Sequence, residues 1–479
     1  VTVRSLGSRI RAAVDPDRYH LQARSLAMRM IGIATMVVAS CCGTIAFAQS
    51  TAPTSAPATR PASPQPSMMV AAPDREDGLY ATGDRVGWTV SLNTDVPFDD
   101  AVKAHWTIKR GGGETIASGD IEFPSEFDTA RIEFLAPGPG TYYVAAKQID
   151  SPRRALIVGA AVDVKQVKLN SQPPADFDAF WQAQLDASKR VPLDWKLEEF
   201  PSDTPGVRYY KGTARGIEGS TIHFQLARPD DDAKHPAVLI QQWAGVYPLQ
   251  RGWVIDKAKL GLIAMNVMPH DLPIDRDETF YAEQRDGPLK NYFTFGNQSR
   301  ESSYYRRMIL SGVRAAEVLA QQPQWDGKSM VATGTSQGGY LTIATAGLSD
   351  RITALCANVP AGLDTLADED GRASGFPYWH QWKDGKADAA SVATSLYYDG
   401  AHFARRIKVP ALVAAGAIDT TCPPWGVIGT ANLMQGPTEL IFMPLSDHQG
   451  DGGKHQEAYY EREHQWLQAI SNGEEPPVK

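Results

Sequence analysis

Val331-Ala332-Thr333-Gly334-Thr335-Ser336-Gln337-Gly338-Gly339-Tyr340 sets a serine between close glycines, after a short apolar run and before a helix-forming stretch rich in Leu, Ile and Ala. A strand that must turn at once into a helix holds its turning residue in a strained conformation, and bulky neighbours would block that turn. The layout is that of a nucleophile elbow, which exposes the Ser336 hydroxyl at the top of a sheet. Glycine and serine are common enough for Gly-Xaa-Ser-Xaa-Gly to arise by chance, so the surrounding sequence has to carry the reading.

Working outward, short apolar runs without alternation recur at residues 237–240, 262–265, 329–333, 354–359, 411–415 and 440–443, with helical stretches such as residues 304–320 between them. Runs of this kind suit strands buried on both faces. They predict an α/β-hydrolase fold over residues 169–479, a doubly wound, mostly parallel sheet that binds ligands at the carboxyl ends of its strands. Phe177, Phe180, Trp181 and Leu185 stand at helical spacing near the start of this region.

A serine hydroxyl becomes a useful nucleophile when a histidine takes its proton and a carboxylate orients that histidine. In this fold the three follow the order serine, acid, histidine. Asp419 closes the run Ala411-Leu412-Val413-Ala414-Ala415-Gly416-Ala417-Ile418 and should lie at the carboxyl edge of the sheet. His448 follows the last strand in Pro444-Leu445-Ser446-Asp447-His448, at the same edge, whereas His455 and His464 fall in the terminal helical pattern. Asp447 is the alternative acid, but its adjacency to His448 makes the required geometry hard to reach.

The oxyanion of a tetrahedral intermediate needs two preorganised N–H donors. The backbone of Gln337 is the first candidate. Val246 or Tyr247, in the loop Gln241-Gln242-Trp243-Ala244-Gly245-Val246-Tyr247-Pro248, is the expected second. No cofactor is required by this chemistry. The pairs His270-Asp271 and Asp447-His448 lack a third ligand at suitable spacing, so no metal site is expected.

Ahead of the catalytic region, residues 74–168 contain period-two runs separated by turn signals such as Gly111-Gly112-Gly113, and read as a small all-β, immunoglobulin-like sandwich. The Tyr142-Tyr143 pair resembles an immunoglobulin-like corner. Residues 49–73, rich in Pro, Ala, Ser and Thr, read as a disordered linker. Residues 1–48 are expected to be an Arg-rich lead and a signal peptide beginning at Met28, with Ala46-Phe47-Ala48 as the cleavage site, which predicts export to the periplasm or medium. Val38-Ala39-Ser40-Cys41 also has the form of a lipobox, which would anchor the chain through lipidated Cys41. Outside that segment only Cys356 and Cys422 remain, as two free thiols or a single bridge, so no disulfide framework is present. With 479 residues, a formal net charge of −8 and no long basic run, nucleic acid is excluded as a partner, and a small or neutral substrate fits better.

From residue 173 onward the chain resembles the acetyl xylan esterase and cephalosporin C deacetylase family, carbohydrate esterase family seven. The resemblance rests on Asp176-Phe177-Asp178-Ala179-Phe180-Trp181, on Tyr304-Tyr305-Arg306-Arg307, on Gly334-Thr335-Ser336-Gln337-Gly338-Gly339 and on Ile407-Lys408-Val409-Pro410-Ala411-Leu412 before Asp419. It implies a Ser336, Asp419, His448 triad with Gln337 as oxyanion donor, acting on small acetyl esters such as acetylated xylo-oligosaccharides and cephalosporin C. The chain departs from the family at Met268-Pro269-His270-Asp271 in place of Arg-Gly-Gln, at Ala244-Gly245-Val246 in place of His-Gly-Tyr, and at His448-Gln449 in place of His-Glu. The first departure also puts the family's hexameric assembly in doubt. Residues 362–401 form an insert with the aromatic cluster Phe376-Pro377-Tyr378-Trp379-His380-Gln381-Trp382, suited to line a pocket or to pack on the sheet. Two rival readings stay open: a prolyl-oligopeptidase-like serine peptidase, and a non-catalytic exported binding protein on a hydrolase fold.

Overall fold

The computed structural model describes residues 2–5, 65–98, 101–384 and 386–479. The expected signal peptide, Cys41 and most of the linker lie outside the described residues.

Residues 65–162 build two sheets around one core containing Trp88, Trp106, Ile108, Phe134, Tyr142 and Val144. One sheet runs in the order Thr2–Ser5, Thr129–Leu135, Arg85–Leu92, Met69–Pro73, and the other Leu79–Tyr80, Leu156–Val162, Gly140–Gln148, Val102–Arg110, Glu114–Phe123. Period-two burial marks Val102–Arg110 and Thr129–Leu135, so each sheet turns one face inward. The Tyr142 hydroxyl donates to the Gly138 carbonyl at 2.7 Å and fixes the corner before its strand. The expected linker ends earlier than Pro73. Met69–Pro73 pairs antiparallel with Arg85–Leu92, and Met68 and Met69 are buried, so apolar burial there overrides a composition that reads as tether. Thr2–Ser5, within the expected lead, pairs with Thr129–Leu135.

The larger unit carries a nine-stranded sheet of β1 (Lys196–Phe200), β2 (Val207–Arg215), β3 (Thr221–Pro229), β4 (His235–Gln241), β5 (Ile263–Val267), β6 (Trp325–Thr335), β7 (Ala354–Asn358), β8 (Ala411–Gly416) and β9 (Thr438–Met443). The spatial order is β1-β2-β3-β5-β4-β6-β7-β8-β9, antiparallel from β1 to β5 and parallel from there on. Helices α1 (Phe177–Lys189), α2 (Arg251–Lys259), α3 (Tyr304–Ala320), α4 (Gln337–Leu348), α5 (Pro424–Ala431) and α6 (Glu457–Ser471) cover it. On one face α2 and α6 pack Val254, Ile255, Trp466 and Leu467 against Val238, Val331, Cys356 and Leu412. On the other, Leu239, Met265 and Ala332 meet α3, and Leu355, Ala357, Val413 and Ala415 lie in the core formed with α1, α4 and α5. Cys356 and Cys422 belong to opposite layers, and both are free and buried. Arg314 of α3 is buried and donates to the carbonyls of Ser188 and Arg215 at 2.7 Å, Val191 at 3.0 Å and Pro192 at 3.2 Å, so a guanidinium satisfies the end of α1.

The two units meet at the carboxyl edge of the sheet. Gly159 donates its N–H to the Pro444 carbonyl at 2.9 Å, and a Cβ at Gly159 would stand 2.2 Å from that of Ala417. Trp425 of α5 fills the space above Gly140, with the guanidinium groups of Arg110 and Arg372 5.6 and 5.2 Å from its ring.

Candidate active site

β6 ends at Thr335 and α4 starts at Gln337, leaving Ser336 alone to make the turn at φ 59°, ψ −122°. The glycines are required by contact. A Cβ on Gly334 would lie 2.4 Å from the Gly338 carbonyl carbon, and one on Gly338 would lie 2.4 Å from the Gln241 oxygen. Ser336 N–H donates to the Asn358 carbonyl at 2.9 Å, which anchors the turn to β7.

His448 Nε2 lies 2.9 Å from Ser336 Oγ, and Nδ1 lies 2.7 Å from Asp419 Oδ2. The other carboxylate oxygen of Asp419 accepts the N–H groups of Thr421 and Cys422, both at 2.8 Å, so this buried acid is held in one orientation. That orientation selects the tautomer that donates to Asp419 from Nδ1 and accepts from serine at Nε2. Asp447 turns away, its Oδ1 accepting from the N–H groups of Gln449 at 3.0 Å and Gly450 at 2.7 Å. His464 is exposed, and His455 sits in a turn before α6. The His448 loop is tied to the turn at Ser336 through a residue that sequence reasoning missed. Gln456 donates to the His448 carbonyl at 3.2 Å and accepts from Asn358 Nδ2 at 2.8 Å.

Asp419, Cys422 and His448 have potential ligand atoms within 4.8 Å of one another, a grouping able in principle to hold a metal ion. The hydrogen bonds just given already occupy the Asp419 carboxylate, and burial pushes the Cys422 thiol well above its usual range, which disfavours the thiolate a metal needs.

A cavity of about 620 Å³ opens on Ser336 and His448, with Trp243, Ala244, Phe376 and Tyr460 in its walls. The expected second oxyanion donors, Val246 and Tyr247, are not among its lining residues. β4 pairs in parallel with β6 up to Gln241 beside Gly334, and Trp243 and Ala244, just beyond it, line the cavity with Ser336. The chain then turns away at Gly245, φ 125°. Val246 is buried in the core, and Tyr247 lies behind Trp243, its hydroxyl donating to the Trp243 carbonyl at 3.0 Å. The part of this loop that lines the cavity is Trp243-Ala244.

That loop is clamped from behind. Gly245 N–H donates to Tyr292 Oη at 3.2 Å, and Tyr292 donates in turn to Gln337 Oε1 at 2.8 Å, where Tyr305 also donates at 3.2 Å. His270 Nε2 lies 3.0 Å from the Gly245 carbonyl and Nδ1 2.9 Å from Tyr304 Oη. Burial, together with the charge of Arg307, pushes His270 down to about 4 against the opposing hydrogen bond to Gly245, so it is neutral and donates from Nε2. His270 thus occupies part of the departure from Arg-Gly-Gln, and it orients backbone rather than a metal. Tyr292 carried no local signal, because its partners lie far away in sequence.

The aromatic insert divides its roles. Trp379 is buried, stacked on Tyr398 at 5.5 Å and tilted against Tyr305 at 4.8 Å, Phe376 reaches the cavity at Ser336, and Tyr378 and Trp382 are exposed.

Among known proteins, an acetyl esterase of Xylanibacter ruminicola, Axe7A, is 29% identical over 395 residues, covering 78% of this chain and 85% of that protein. A solved acetyl xylan esterase from a Paenibacillus species superposes with a TM-score of 0.52 at 24% identity, over 62% of this chain and 96% of its own. Acetyl xylan esterase 1 from a Thermoanaerobacterium species does so with 0.52 at 21% identity, over 62% and 97%. Both share the fold. Residues 161–469, well over half of the chain, match the family model for acetyl xylan esterase (AXE1), so the chain belongs to the acetyl xylan esterase family and is a carboxylic ester hydrolase.

Proposed function

We propose that the chain removes acetyl groups from carbohydrate esters through an acyl-enzyme on Ser336. The observation that carries this is the unbroken hydrogen-bonded chain from Ser336 through His448 to Asp419, opening on a cavity large enough for a sugar ester. Ser336 Oγ attacks the ester carbonyl as His448 Nε2 takes its proton, and Asp419 stabilises the imidazolium. The oxyanion is received by the N–H of Gln337 and by the Trp243-Ala244 backbone. His448 returns the proton to the departing alcohol, then activates water, which releases acetate and restores Ser336. No step calls for a metal or cofactor. Acetylated xylo-oligosaccharides fit as substrates because the family and its named relatives point to acetyl esters and xylan.

The test is hydrolysis of 4-nitrophenyl acetate by wild type and Ser336→Ala. A loss of about 10⁴-fold or more in kcat is expected, and equal rates remove Ser336 from the mechanism. Acetyl esters should also outpace butyryl esters, and the reverse preference overturns deacetylation while leaving the hydrolase.

We further infer export, on the strength of the apolar run from Ile31 and Ala46-Phe47-Ala48. Mass spectrometry of the native N-terminus discriminates cleavage before Gln49 from lipidation at Cys41, and a mature chain retaining residues 31–48 unmodified contradicts both.

A further inference from the structure

Phe376 lines the cavity at Ser336 and has both of its backbone groups fixed. Its N–H donates to the Thr421 carbonyl at 2.7 Å, its carbonyl accepts from the Gly362 N–H at 2.8 Å, and its ring lies 5.1 Å from that of Phe293. Thr421 lines the same cavity. Gly375, just before, is pressed bare against that loop, since a Cβ there would stand 2.7 Å from Pro423 Cδ and 3.1 Å from the Thr421 oxygen. Phe376 is thus a wall of the cavity whose position depends on where the preceding residues are seated.

Those residues are seated by the two-sheet unit. Its turn Gly111-Gly112-Gly113 joins Val102–Arg110 to Glu114–Phe123 and rests on residues 371–373. The Gly111 carbonyl accepts the Ala373 N–H at 3.1 Å. Cβ atoms on Gly111, Gly112 and Gly113 would stand 3.1 Å from Arg372 Cγ, 2.8 Å from Ala373 Cβ and 2.1 Å from the Gly371 oxygen, so the two segments meet with no room for a side chain on the turn. Arg372 ties the same segment to its own unit through Asp364 at 2.9 Å and Asp370 at 2.8 Å. From Ala373 to Phe376 is three residues, a span of at most about 10 Å, and in a close-packed interior a shift at one end is passed to the other.

The geometry points to the Gly111-Gly112-Gly113 turn as a positioning element for substrate selection: it seats Ala373 and through it Phe376, so the two-sheet unit sets the width of the cavity at Ser336 although none of its residues lines that cavity. This rests on the serine-esterase reading above. The probes are ethyl acetate, 4-nitrophenyl acetate and 4-nitrophenyl butyrate, compared as ratios of kcat/KM on one preparation, so that losses in folding or in the shared chemistry cancel. Phe376→Ala should raise the butyrate-to-acetate ratio by about tenfold. Gly112→Asn introduces a residue that accepts the φ of 79° at this position, and should shift the butyrate-to-acetate or the 4-nitrophenyl-to-ethyl ratio by about threefold or more. Adding Ala373→Gly removes the Cβ that the turn would strike and should return the ratios to wild type. Ala373→Val crowds the same contact from the other unit and should shift them as well, which decides the matter where Gly112→Asn does not fold. Ratios unchanged in Phe376→Ala, in Gly112→Asn or in Ala373→Val, or shifted in Gly112→Asn and not restored by Ala373→Gly, overturn the positioning role. Failure of the underlying reading is a separate result, in which Ser336→Ala keeps its rate on 4-nitrophenyl acetate.

Discussion

The ring of His270 and the carbonyl of Gly245 meet at 3.0 Å, and the N–H of the same glycine is taken by Tyr292 at 3.2 Å. Both polar groups of the residue that ends the Trp243-Ala244 stretch are therefore fixed by buried side chains. Since preorganised donors act only where they are aimed, His270→Ala and Tyr292→Phe should each lower kcat by about tenfold to a hundredfold with KM little changed. Matched steady-state constants for an acetyl ester check this, and a rise in KM at constant kcat would assign the pair to substrate binding instead.

Acid stability should depend on the same histidine. Its folded pKa, about 4, lies below the ordinary 6.5, chiefly through burial. The stability it contributes is thus fully present above about pH 6.5 and is lost as pH falls toward 4, to the extent of about 3 kcal/mol. Thermal unfolding followed between pH 7 and 4 should show a smaller fall in Tm for His270→Gln than for wild type. Parallel curves would contradict a neutral, buried His270.

The two acids beside the base are separable. Asp419→Asn should cut kcat by about 10⁴-fold, because the amide favours the wrong imidazole tautomer. Asp447→Asn, which keeps an oxygen for the Gln449 and Gly450 N–H groups, should stay within about threefold of wild type. The reverse ranking would move the acid to Asp447.

A side chain at Gly159 should damage catalysis from the neighbouring unit. Its Cβ would overlap that of Ala417, two residues before Asp419. Overpacking of this kind costs about 1–3 kcal/mol, and a displacement of an ångström at the reacting groups costs about a hundredfold in rate. Gly159→Val should lower both Tm and kcat, while Gly159→Ala combined with Ala417→Gly should recover most of each. Differential scanning calorimetry and initial rates on one preparation decide it, and a normal kcat in Gly159→Val would uncouple the units.

What was legible in the sequence was governed by local sterics or by chain order. The turn at Ser336 could be read because Gly334 is crowded by Gly338, four positions on, and the meeting of Asp419 and His448 because each lies in the loop that follows a strand. That Trp243-Ala244 rather than Val246-Tyr247 lines the cavity was not legible, since the loop's path past Gly245, at φ 125°, leaves no mark in the sequence pattern. The clamp escaped because His270 and Tyr292 meet Gly245 across 25 and 47 residues. Leu156–Val162 has no alternation to detect. It is buried almost throughout, being pressed between its own sheet and the catalytic unit.

The contact of Gly159 with Pro444 and Ala417 also limits how this enzyme can be recombined. Cutting the chain after the two-sheet unit leaves the Pro444 carbonyl without its donor and uncovers the loops that carry Asp419 and His448. A replacement module would have to offer an N–H and a bare backbone at that one spot. Two units that look interchangeable along the chain are thus a matched pair at the point where the chemistry is aligned.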